Sequence, residues 1–340
     1  MKKRTAVFLV LLALIAMPIF GQSDTNQRRI FFETFKDDIY SIRSINPAGS
    51  NEQRIAESYN SAFSLSPNGK QLLYEYESQH IDLYLINSDG SNPQRLTDSG
   101  DNYSPQWSAA GDQIAFIHEQ DYQYSIQVIQ VNDVQHAEAV FQTPQIIADL
   151  HWLPDEKAFV FMTWDARFIV CGLNFVQADG SSWQNLTTNF IPSVSSVALS
   201  PDSKQVAFAA SPNNDPSVSD LYTIDLATRK ISKLTHISAR YGSLIWSADS
   251  QFLVFATDLG GDWEIYKLNL ATEQQTDLTN APNLQDGFYG LDISYPDNLI
   301  VYTTGPIDGY HQILTMSFDG SNKKQITSDE IDKVSPVWGR

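Results

Sequence analysis

Short apolar runs recur along this chain, each preceded by a large apolar residue, a Ser or its neighbour, and a tight polar turn. The segments SAFSLSPNGKQLLY (61–74), NYSPQWSAAGDQIAF (102–116), ADLHWLPDEKAFVF (148–161), SSVALSPDSKQVAF (195–208), SLIWSADSQFLVF (243–255) and LDISYPDNLIVY (291–302) are versions of one pattern. Their turn residues Pro67, Ala109, Pro154, Pro201, Ala248 and Pro296 stand 42 to 48 residues apart. After each run comes a strand of the form D-I/L-Y, as in DIYSI (38–42), DLYLI (82–86), DLYTI (220–224) and EIYKL (264–268). A turn follows, either Asp-Gly (Asp89-Gly90, Asp179-Gly180, Asp319-Gly320) or Ala-Thr (Ala227-Thr228, Ala271-Thr272), and the unit closes with RLT, NLT, KLT, DLT or QIT. Asp-Gly between apolar runs is a strong hairpin signal, because Gly accepts the positive φ of a tight turn. The spacing thus predicts four short antiparallel strands per unit, which is a propeller blade.

Counting units gives the architecture. Six have their own first strand, beginning near residues 61, 103, 148, 194, 242 and 288. Residues 28–56 hold a second, third and fourth strand but no first, and VSPVWGR (334–340) is a first strand with nothing after it. The pattern predicts an all-β, seven-bladed β-propeller in which the C-terminal strand completes blade 1, with six blades as the alternative. Such closure completes the unfinished blade and leaves only short, protected sheet edges. Trp107, Trp152, Trp246 and Trp338 share one repeat position, filled elsewhere by Leu65, Leu199 and Ile293. That position is expected to pack between neighbouring blades.

Ahead of the repeats, the basic MKKR and the apolar TAVFLVLLALIAMPIFG have the form of a secretory leader, expected to occupy residues 1–22 and to be cleaved near Gly21 to Ser23, with an uncleaved membrane anchor as the alternative. The propeller is expected to span 29–340. The protein would then be exported, to the periplasm or beyond. Net charge is −18, and losing Lys2, Lys3 and Arg4 with the leader makes it −21. A surface of that sign repels nucleic acid and anionic lipid. The single cysteine, Cys171, forms no internal disulfide, so the core and ring closure must hold the fold.

The S-P-D-G-like turn, the I-A-F-like strand, the D-I-Y strand and the L-T ending together resemble the propeller repeats of the TolB family, over residues 29–340. Related repeats occur in the propeller domains of prolyl-oligopeptidase-type serine peptidases. The resemblance implies a scaffold of the bacterial envelope that works through protein contacts. It departs from TolB in blade number, seven against six, and in having no N-terminal α/β domain.

Candidate chemistry is sparse. A G-x-S-x-G elbow, a P-loop, an H-E-x-x-H and paired C-x-x-C are all missing from the sequence. DGSNKKQITSDE (319–330) has the acidic ends of a calcium loop, yet Lys324 stands where Gly is needed and Lys323 replaces an oxygen ligand. Of the six histidines, only His151 and His236 fall near the channel entry by repeat position. The loops between blades and between second and third strands share one face and vary most. Variation concentrated on one face of a scaffold is where binding residues are displayed. Tyr59, Tyr103, Arg240, Tyr241, Tyr289, Asp332 and Lys333 fall just before first strands and are expected at that rim, Tyr and Arg being frequent interface anchors. The expected function is a monomeric, non-enzymatic scaffold binding a protein or peptide, with no cofactor. The alternative is a polysaccharide lyase or hydrolase at the channel mouth, with a bound divalent cation as in some propeller lyases.

Overall fold

The computed structural model describes residues 28–36, 39–58, 63–164, 170–188, 193–211, 218–237, 239–280, 290–295, 297–305 and 309–339. Seven four-stranded antiparallel sheets form a closed ring, as the repeat count predicts. Blade 2 runs Phe63–Leu65, Gln71–Glu77, Ile81–Asn87 and Gln94–Arg95, and blades 3 to 7 repeat that order along the chain. Blade 1 takes its first strand from the other end of the sequence: Asp332–Trp338 pairs with Ile30–Lys36, which continues to Ile39–Ile45 and Gln53–Ser58.

Seven apolar clusters hold the ring, one at each junction between neighbouring blades. Between blades 4 and 5, for example, Val160, Phe175, Val206 and Phe208 pack together, and between blades 7 and 1, Val301, Ile313, Ile30, Phe32 and Trp338 do so. The four repeat tryptophans are buried, and two reach across a junction. The Trp107 indole N–H donates to the Ser64 carbonyl at 3.3 Å and that of Trp246 to the Ala198 carbonyl at 3.0 Å. The seam is further tied by polar contacts. The Trp338 amide donates to Asp292 at 2.8 Å, the Gly339 amide to the Arg29 carbonyl at 2.7 Å, and the Arg28 guanidinium to Asp297 at 2.6 Å.

The repeat motifs acquire physical reasons. Ser at the first turn accepts the amide that begins the second strand: Ser66 from Gln71, Ser108 from Gln113, Ser200 from Gln205 and Ser247 from Phe252, all at 2.9–3.1 Å. Thr of the L-T ending accepts the amide near the start of the third strand in five blades. The pairs are Thr97–Leu83, Thr187–Leu173, Thr235–Leu221, Thr279–Ile265 and Thr327–Ile313, at 2.9–3.0 Å. Each hydroxyl satisfies a backbone donor that the short fourth strand leaves without a ladder partner.

Candidate functional site

Strand direction alternates within a blade, so first-to-second and third-to-fourth turns lie on one face of the ring. Second-to-third loops and blade-to-blade connections lie on the other. The former is the short-turn face and the latter the loop face.

On the loop face the sequence-expected residues divide by the two-residue period of a strand, since successive side chains point to opposite sides. Arg240 faces outward: its Nε donates to the Asp258 carboxylate at 2.7 Å, its amide donates to the same carboxylate at 2.7 Å, and its guanidinium lies 5.3 Å from the Trp263 ring centre. Tyr241, next in the chain, turns inward, buried with its ring 5.6 Å from that of Phe255, and its hydroxyl donates to the Ile237 carbonyl at 3.3 Å. The same alternation separates Asp332 from Lys333. Asp332 accepts the His311 amide at 2.8 Å and stands 3.0 Å from its Nδ1, whereas Lys333 is fully buried, its ammonium paired with Asp329. Tyr103 is half-buried, and burial, with the charges of Asp101 and Glu119, pushes its hydroxyl far above the usual phenol range. Tyr59 and Tyr289 lie outside the described residues.

Two further acid sites bear on the face. Asp101 accepts the Ile81 amide at 2.8 Å, as Asp332 does for His311, so the residue opening a first strand clamps the loop of the blade before it. In blade 4, Asp149 sits in the left-handed region (φ 51°) with its carboxylate 3.0 Å from His151 Nε2. Burial opposes both charges, but mutual attraction outweighs it, so the carboxyl is held below its usual range and the imidazole above. His236 is exposed. Among the described residues, no group of three or more His, Cys, Asp or Glu side chains is arranged to hold a metal ion, and no helix is long and apolar enough to cross a membrane.

What the sequence-based choice of rim residues missed is the exposed apolar set. Phe35, Ile39, Tyr76, Tyr122, Val218, Ile237 and Tyr310 are exposed, and all lie at or beside the loop face. The short-turn face has Trp183 and Tyr295. Trp183 is stacked 6.0 Å from Phe141, and the Tyr295 hydroxyl donates to the Trp246 carbonyl at 3.2 Å. Tyr122 is the extreme case, 84% exposed in the two-residue turn Asp121-Tyr122, with φ of 52° and 61°. Asn-Gly would occupy such a turn with less strain. A sequence signal existed: a bulky residue in a two-residue hairpin turn where Gly is expected.

With this geometry in view, the comparison with known proteins decides the family. The TolB beta propeller domain model matches residues 111–339. The chain belongs to the TolB beta-propeller family. Within the same fold, TolB from Acinetobacter baumannii superposes with a TM-score of 0.57 at 14% identity, covering 92% of this chain and 82% of that one. Oligogalacturonate lyase from Vibrio parahaemolyticus superposes with a TM-score of 0.64 at 12% identity, covering 86% and 91%. In sequence, dipeptidyl-peptidase 5 from Porphyromonas endodontalis is 30% identical over 125 residues, which is 34% of this chain and 16% of the peptidase. This TolB-family chain thus aligns with a small part of that relative's length, and the structural likenesses speak for the shared fold alone.

Proposed function

We propose that this TolB-family propeller is an exported, non-enzymatic scaffold that binds a protein or peptide partner through its loop face. The observation that carries the reading is the gathering of exposed apolar side chains there, Tyr122 and Tyr310 among them, against Trp183 and Tyr295 alone on the opposite face among the described residues. Exposed apolar groups grouped on one side of a soluble molecule mark an interaction surface. The strained Asp121-Tyr122 turn adds to it. The hairpin needs positive φ at both turn residues, and a bulky aromatic ring kept there against the strain points to a use for that ring.

A photo-crosslinking residue placed at Tyr122 or Tyr310, and separately at Trp183 or Tyr295, tests the reading against envelope extract. One defined adduct from the first pair and none from the second is the expected result. Equal labelling from both faces, or labelling confined to the short-turn face, would sink it. Oligogalacturonate cleavage, assayed in parallel with added divalent cation, tests the enzymatic alternative; turnover that survives in the crosslinked complex would place the chemistry elsewhere.

A further inference from the structure

Among the described residues the loop face is not only apolar but predominantly negative: most of its cations are paired with acids, and Lys36 stands exposed beside Phe35. Arg95 is paired with Asp82 at 2.7 Å, Lys233 with Asp220 at 2.8 Å, Arg240 with Asp258 at 2.7 Å, and Lys333 with Asp329. Asp82 and Asp220 are themselves buried. Among the described residues, Glu77, Asp98, Asp121 and Glu330 are exposed on this face with no such neutralisation, and the exposed tyrosines stand among them. The short-turn face is different: Lys70, Lys157, Lys204, Lys230, Lys323 and Lys324 all stand there, mixed with acids.

From this asymmetry we infer that the partner taken by the loop face is a cationic polypeptide segment, with Lys or Arg interleaved with apolar residues. The inference rests on the binding reading above and deepens it. Carboxylates would meet the basic side chains and raise the encounter rate. The Tyr76, Tyr122 and Tyr310 rings would cover the aliphatic stems and accept cations on their faces. Phosphate-bearing partners are repelled by the same charges, and a second copy of this chain would bring acid against acid.

Three short synthetic peptides of matched length and apolar content, carrying Lys, Glu or Gln at the same positions, provide the test. Binding to the mature protein is measured by fluorescence anisotropy and the footprint by hydrogen exchange. The lysine peptide should bind at low ionic strength, weaken as salt is added, and protect the loop face; the glutamate peptide should not bind. The exposed triple variant Glu77→Gln, Asp121→Asn, Glu330→Gln should weaken lysine-peptide binding about tenfold. The charge-matched variant Asp133→Asn, Glu138→Gln, Glu273→Gln, away from the loop face, should leave it unchanged. Equal weakening by both triples, or equal binding of the glutamate peptide, overturns the inference. If the glutamine peptide protects the loop face as well as the lysine peptide does, the charge preference falls and the binding face stands. If no peptide protects that face, both fall.

Discussion

At the residue scale, the most informative positions are hydroxyls and glycines that the repeats hold for backbone reasons. Thr235 accepts the buried Leu221 amide, so Thr235→Val should leave that donor orphaned and cost about 1–3 kcal/mol in urea unfolding. Gly180 combines a φ of 80° with a close approach: a Cβ there would lie 2.6 Å from the Val140 carbonyl oxygen. Gly261 has a φ of 100° but open space around it. Gly180→Ala should therefore lower the melting temperature more than Gly261→Ala, although both force a side chain into the left-handed region. The motif letters were legible in the sequence, as Ser before the turn and Thr at the blade end, while their partners were not, since each hydrogen bond spans strands whose pairing must be known first. The rim residues show the same limit. Arg240 and Tyr241, like Asp332 and Lys333, occupy adjacent positions just before or within a first strand, and only the strand's phase decides which of each pair faces water.

At the scale of the element, two features set expected behaviour. The Asp121-Tyr122 turn keeps a bulky residue at positive φ; Tyr122→Gly should raise stability by about 1 kcal/mol while reducing partner capture, a trade of stability against function. Glu33 lies fully buried in the second strand of blade 1, and burial, eased slightly by the Ser58 hydroxyl and reinforced by the nearby Glu75 charge, raises its carboxyl to about 8. The folded state then keeps a proton that the unfolded chain releases near 4.5. Stability from this group is full below that value and is lost as pH rises through about 8. His151, raised by Asp149 against the pull of burial, acts in the same direction at higher pH. Urea midpoints measured from pH 5 to about 8 should fall, and Glu33→Gln should flatten most of the slope. A midpoint that rises with pH, or a slope the variant does not change, would contradict this assignment. Element existence was readable because the apolar runs and turns repeat; the buried carboxylate was not, because FFETF reads as an ordinary strand until its blade is placed against the next.

For the whole molecule, the ring is held at seven junctions by seven apolar clusters, and the junction of blades 7 and 1 depends on residues from both ends of the repeat array. Trp338→Ala removes a buried ring from that cluster and should cost about 3–5 kcal/mol. Deleting 332–340 should do more, exposing the Ile30–Lys36 edge and turning one cooperative thermal transition into a broad one by circular dichroism. The closing strand also sets an order of events in the making of the protein. A ribosome delivers the Ile30 strand long before its Trp338 partner, so blades 2 to 7 have all their strands in hand while blade 1 waits, open along one side, for the Asp332–Trp338 strand. Ring closure is thus the last strand pairing of the propeller, with a very long loop to close, slow by its sequence separation. Until it happens, the nascent chain offers any chaperone one bare strand edge at a fixed address.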